Sequence, residues 1–290
     1  MKKICTAFFI VLPILFSSIN KAFSNFYSQL NTDSMPTGNY ANVNGIKMYY
    51  EIYGEGEPLV LIHGGGSTIQ TTFEKILPTL AQHYKCIAVE LQAHGRTSDR
   101  NAPESFTQDA DDVAALLKQL NFNKASFFGF SNGASTTMQI AIRHPEIVDK
   151  IVVASGAYKR DGFIPGFFDG FKTATLNTMP QGLRDAFMEI NHDSTALLNM
   201  FNKDVERMKT FKDWRDEDIK SIKVPALILN SDKDVILPEH ALEISRLIPN
   251  AELAIFPGVH GAFIGESITA VPDSNLPAIT VELIEEFLDK

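Results

Sequence analysis

Cysteine is nearly absent from this chain: there are two in 290 residues, Cys5 and Cys86. Cys5 falls in an N-terminal apolar run. Cys86 falls in the run Lys85-Cys86-Ile87-Ala88-Val89, where a lone cysteine reads as a small core residue. No disulfide framework can be built from this pair. A basic surplus is absent as well. The 26 Lys and Arg face 35 Asp and Glu, and the net charge of −9 argues against nucleic acid as a partner. No apolar run is long enough to span a bilayer. There is no internal repeat and no low-complexity tract, and no His/Asp/Glu spacing suggests a metal, so neither metal nor cofactor is expected.

The chain opens with an address. Lys2 and Lys3 precede the apolar stretch Ile4 to Phe16, and Ala22-Phe23-Ser24 offers small residues for cleavage. Residues 1–24 are therefore expected to be a signal peptide, and the product to be exported to a periplasm or the medium with no stable membrane span. Losing that segment removes three lysines and no acid, so the charge becomes 23 minus 35, or −12. Residues 25–290 then form the functional domain.

After a polar lead-in over 25–40, Val43 to Tyr53 reads as strand, Asn44-Gly45 turn and strand. Continuous apolar runs follow at Pro58–Ile62, Cys86–Val89, Ile151–Ala154 and Ala226–Leu229, which suit strands buried on both faces of a parallel sheet. Helix-period stretches separate them: Thr72–His83, Gln108–Leu120, Ala134–Arg143, Glu239–Leu247 and Ile279–Leu288. The alternation predicts an α/β fold, a mostly parallel central sheet with helices on both faces. It breaks over about 157–223, which is rich in Phe and Met and carries the single tryptophan, Trp214. That stretch is expected to be a helical cap whose apolar residues mostly pack onto the core, the remainder lining a pocket.

Gly129-Phe130-Ser131-Asn132-Gly133 lies between the strand-like Ala125–Phe128 and the helix-like run from Ala134. This is the strand–turn–helix context of a G-x-S-x-G nucleophile elbow, which pushes the serine hydroxyl out of the sheet edge and aims the next N–H, that of Asn132, at a forming oxyanion. A serine hydroxyl needs a base, and the base an orienting carboxylate, in chain order Ser, acid, His. Asn230-Ser231-Asp232-Lys233-Asp234 follows one strand run, and Pro257-Gly258-Val259-His260 another.

Together these motifs make the chain similar to the α/β-hydrolase superfamily in its single-domain, cap-bearing serine hydrolase branch, from about Asn42 onward. The resemblance favours Asp234 over Asp232, because the family's acid follows a Gly-x-x-Asp pattern that Ser231–Asp234 fits with Ser for Gly. It implies His260 as the base after Pro-Gly-x, with Val259 where a small residue is commoner. It also implies that His63-Gly64-Gly65-Gly66-Ser67 supplies the Gly65 N–H to an oxyanion hole shared with Asn132, His63 holding the loop. In Glu90–Ser98 the family's usual Gly-x-Gly-x-Ser is altered by Ala93 and Thr97, and this loop, with His94, is expected to shape the rim of the site. His83, His144, His192 and His240 carry no motif and read as surface or packing residues.

The implied activity is hydrolysis of an ester or related acyl bond on a small hydrophobic acyl substrate. The same triad serves acyltransferases, perhydrolases and C–C bond hydrolases. A non-catalytic binding protein on this fold is the alternative of a different class, set against the full complement of triad residue types.

Overall fold

The computed structural model describes residues 38–290; the expected signal peptide over 1–24 lies outside the described residues. Eight strands form one sheet: β1 (Asn39–Val43), β2 (Ile46–Tyr53), β3 (Glu57–Ile62), β4 (Tyr84–Val89), β5 (Ala125–Phe130), β6 (Val148–Ala154), β7 (Ala226–Lys233) and β8 (Ala251–Val259). Their spatial order is β1-β2-β4-β3-β5-β6-β7-β8. The hairpin β1–β2, turned at Asn44-Gly45, is antiparallel, and β2 joins β4 antiparallel. Every pairing from β4 through β3 to β8 is parallel. The apolar runs read from the sequence are these inner strands. Leu59 to Ile62, Cys86 to Val89 and Ile151 to Ala154 are all fully buried, because helices cover both faces.

Among the described residues the helices are α1 (Ile69–Phe73), α2 (Leu77–Leu80), α3 (Phe106–Gln119), α4 (Asn132–Arg143), α5 (Phe167–Lys172), α6 (Gln181–Asn191), α7 (Ser194–Lys209), α8 (Asp216–Lys220), α9 (Pro238–Leu247) and α10 (Leu276–Leu288). The single helix expected over Thr72–His83 is two short ones. Pro78 sits in the first turn of α2; a proline cannot continue a preceding helix, since it lacks the N–H and its ring clashes one turn back. No described helix is long and apolar enough to cross a membrane.

Two apolar clusters occupy the two faces of the sheet. One joins β1, β2, α3, α4 and α9, and the other joins α1, α2 and α10. Between β6 and β7 the chain forms no further strand of the sheet and carries the cap helices α5 to α8. A third cluster holds this insertion together: Met179, Leu183 and Phe187 from α6 and its approach pack on Leu197, Met200, Phe201 and Val205 of α7. An isolated antiparallel bridge, Phe163 to Ile236, ties the entry of the cap to the loop after β7.

Candidate active site

Four loops at the C-terminal ends of β3, β5, β7 and β8 carry the sequence-predicted site residues, at the sheet edge where open α/β folds place ligands. The turn after β5 is the tightest. Ser131 has φ 56 and ψ −119, a conformation that L-residues rarely adopt and that costs on the order of 1–3 kcal/mol. The residues two before and two after it must be glycine. A Cβ on Gly129 would lie 2.0 Å from the Gly133 carbonyl oxygen, and one on Gly133 would lie 2.1 Å from the oxygen of Ile62 in β3. The spacing of the pentapeptide is therefore a steric demand of the crossing between β5, α4 and β3.

The structure brings Ser131, His260 and Asp234 together from three loops. Oγ of Ser131 is 3.0 Å from Nε2 of His260, and Nδ1 of His260 is 2.6 Å from Oδ1 of Asp234. The ring of Phe130 packs on the His260 imidazole with centroids 4.7 Å apart. Asp234 is buried, and its second oxygen accepts the Ser155 hydroxyl at 2.6 Å, while Oδ1 also accepts the Ile236 N–H at 3.0 Å. Burial alone would raise the Asp234 carboxyl; the His260 ring and these two donors outweigh it and hold the group below the usual carboxylate range. Asp232 does not reach the site. Its carboxylate accepts the Gly258 N–H at 2.7 Å and shapes the turn before His260.

Gly65 and Asn132 both line the pocket beside Ser131. Asn132 opens α4, so its N–H has no partner within the helix. A Cβ on Gly65 would come within 2.5 Å of the Asn132 side-chain nitrogen, so a larger residue there would displace the Asn132 amide. His63 is fully buried behind them. Its Nδ1 faces the Gly64 carbonyl at 2.7 Å and its Nε2 accepts the Leu91 N–H at 3.1 Å, so the ring is neutral and ties the glycine loop to the loop after β4. Burial pushes its pKa down to about 3.

His94 was expected at the rim and is instead buried under the cap. Nδ1 faces the Gln92 carbonyl at 2.8 Å and Nε2 faces Oδ2 of Asp204, from α7, at 3.0 Å. Acceptors at both nitrogens favour a charged ring, while the Gly66 N–H, shared with Asp204 Oδ2, also points at Nε2 at 3.2 Å. Burial opposes that charge, but Asp204 prevails and raises the pKa to about 9. Ala93, in place of the family's glycine, takes φ 62 in this loop. Glu90 anchors it by accepting the Arg96 N–H at 2.6 Å and the Arg96 guanidinium at 2.7 Å.

Two residues of the site escaped the sequence reading, Ser155 and Asp204. Ser155 follows β6 with no motif around it. Asp204 did carry a signal: it stands one helical turn after Met200 and one before Met208, both buried, on the apolar face of α7. A carboxylate in such a stripe is out of place unless it serves something.

The pocket above Ser131 encloses about 520 Å³ and is predominantly apolar. Of the α5 aromatics, Phe167 and Phe171 line it. Phe168 instead faces an outer groove and stacks under Arg160, while Phe187 of α6 is buried within the cap. No described group of three or more His, Cys, Asp and Glu is arranged to hold a metal ion.

Known proteins agree with this architecture. The family model described as the alpha/beta hydrolase fold matches residues 57–267, and the chain belongs to that family. It is 29% identical over 231 residues to the human serine hydrolase BPHL, which covers 74% of this chain and 77% of that one. It is 31% identical over 123 residues, 41% of this chain and 42% of the relative, to the 2-hydroxy-6-oxo-6-(2'-aminophenyl)hexa-2,4-dienoic acid hydrolase of Metapseudomonas resinovorans. Among solved structures it is similar to the carbazole-degradation serine hydrolase CarC, with a TM-score of 0.72 at 22% identity over 88% of this chain and 99% of that one. The enol-lactonase of Burkholderia xenovorans LB400 follows the same fold, with a TM-score of 0.69 at 19% identity over 87% of this chain and the whole of that one. Family and relatives are those of a hydrolytic enzyme.

Proposed function

We propose that the chain is an exported serine hydrolase that cleaves an ester or related acyl bond of a small, largely apolar substrate. The observation that carries this reading is the continuous relay from Ser131 through His260 to Asp234, at 3.0 and 2.6 Å, on a strained elbow under an apolar pocket. Ser131 Oγ attacks the carbonyl carbon as His260 Nε2 takes its proton. Asp234 holds the ring with Nδ1–H toward itself and stabilises the imidazolium. The N–H groups of Asn132 and Gly65 receive the tetrahedral oxyanion, each donor worth about 3–4 kcal/mol in such a site. His260 then passes the proton to the departing alkoxide, leaving an acyl-Ser131 ester that water resolves by the same steps with His260 again as base.

Export rests on the pattern of Lys2, Lys3 and Ile4–Phe16. The human relative's name, a serine hydrolase, supports the nucleophile class. The deciding experiment is fluorophosphonate labelling with peptide mapping. Label is expected on Ser131 and is lost in Ser131→Ala, which stays folded and hydrolyses no ester of a chromogenic series. Label mapped to another serine, such as Ser98 or Ser231, would overturn the assignment.

A further inference from the structure

Among the described residues no lysine or arginine lines the pocket, and besides His260 the one ionisable side chain there is Asp204. This carboxylate reaches down from the cap to the oxyanion side of the site. Oδ2 accepts the Gly66 N–H at 2.6 Å and faces His94 at 3.0 Å. Oδ1 has a far weaker engagement, one contact from Asn132 Nδ2 at 3.5 Å, and it lies 3.4 Å from where a Cβ on Gly65 would stand. Asn132 directly follows Ser131. Asp204 thus presents an open acceptor to the cavity close to where the scissile carbonyl must sit, in walls that are predominantly apolar.

Charges behind Asp204 decide which donor fits. His94 sits against it, and Arg207, one turn along α7, is buried and pairs with Glu104 at 2.9 Å and Asp109 at 3.0 Å. Asp204 therefore already has an imidazole partner at 3.0 Å and Arg207 has its own two acids, so no ion pair in this nest waits for a ligand to complete it. A substrate ammonium would add a further cation to a largely apolar cavity, and a substrate carboxylate would meet the like charge of Asp204. A neutral hydroxyl supplies the missing proton at no charge.

We propose that Asp204 selects acyl groups bearing a hydroxyl near the scissile carbonyl, so that the substrates are hydroxyacyl esters with an otherwise apolar body. This rests on the hydrolase reading above and narrows it. It also sets the chain apart from a relative named as the hydrolase of a dienoic acid, since no lysine or arginine among the described residues lines the pocket to meet a carboxylate.

The test compares p-nitrophenyl esters of butyrate, 3-hydroxybutyrate, 3-methoxybutyrate, 3-aminobutyrate and succinate at pH 7, each corrected for spontaneous hydrolysis. A methoxy group accepts but cannot donate, so the wild-type protein is expected to favour the hydroxy over the methoxy ester in kcat/KM by roughly tenfold or more, the size of one hydrogen bond to a charged acceptor. The hydroxy ester should also lead the butyrate, ammonium and carboxylate esters. In Asp204→Asn the amide can still accept from Gly66 through its oxygen while turning N–H toward the cavity. The hydroxy-to-methoxy ratio should then collapse toward one, a change that a general loss of activity would not produce. A wild-type ratio near one, an ammonium ester that outruns the hydroxy ester, or an unchanged ratio in the variant would overturn the proposal while Ser131 still labels with fluorophosphonate. Absence of labelling would overturn the underlying hydrolase reading instead. The wild-type ratios stand as a test even where the variant does not fold.

Discussion

Nδ1 of His260 lies 2.6 Å from Oδ1 of Asp234, and Asp232, two residues earlier at the end of β7, spends its carboxylate on the Gly258 N–H instead. The two acids are therefore separable by experiment. Asp234→Asn should lower kcat by roughly 10³–10⁴-fold, because a carboxamide can hold the wrong imidazole tautomer. Asp232→Asn should keep kcat within about threefold, a loss of under 1 kcal/mol from one exposed turn hydrogen bond. Steady-state kinetics on one ester decides it, and a reversed order of the two effects would name Asp232 as the acid.

Ser155 gives a finer expectation. Its hydroxyl donates to Asp234 Oδ2 at 2.6 Å from a left-handed backbone position, φ 53. Ser155→Ala should reduce kcat by roughly tenfold, the worth of one hydrogen bond to a charged group, since the carboxylate loses a constraint without losing its charge. A kcat equal to the parent's would show that the Ile236 N–H alone positions Asp234.

The cap aromatics should sort by where they face. Phe167 and Phe171 line the pocket and Phe168 does not. Phe167→Ala and Phe171→Ala are expected to move the preferred acyl chain length, each by about 1–3 kcal/mol as an apolar wall is removed from the pocket. Phe168→Ala should leave that preference in place. If both pocket variants fold and keep the parent profile, the loops around Gly66 and His94 set chain length.

Stability should fall on the alkaline side. The His94 pKa is raised from 6.5 to about 9 by Asp204, so its contribution is fully present below the unfolded value and is lost as pH climbs from 6.5 to about 9. The loss is on the order of 3 kcal/mol, about 1.4 kcal/mol for each pH unit of that rise. Thermal midpoints of the wild-type protein should drop across that window, and His94→Gln should flatten the drop. A parallel slope in the variant would mean that His94 is neutral in the fold.

Much of this was legible in the chain because it is local. The Gly129 to Gly133 crossing, the Asp234 turn and the His260 turn each place their signal within a few residues of a strand end, where backbone sterics dictate composition. Boundaries were less so: Pro78 split an expected helix that its apolar spacing alone would have carried through. The pairing of His94 with Asp204 joins residues 110 apart in sequence. Nothing near His94 marks it as buried until α7 is laid over it, so periodicity could flag Asp204 as odd but could not name its partner.

Arg207 carries a consequence for chimeras. It descends from α7 into the main body and is the cation for two buried acids, Glu104 and Asp109. Excising the insertion would leave both buried acids without their cation, and their affinities for a proton, already raised by burial, would rise further. The insertion is thus no detachable module: a transplanted version will be accepted only where it brings an arginine to this same place, or where Glu104 and Asp109 are exchanged along with it.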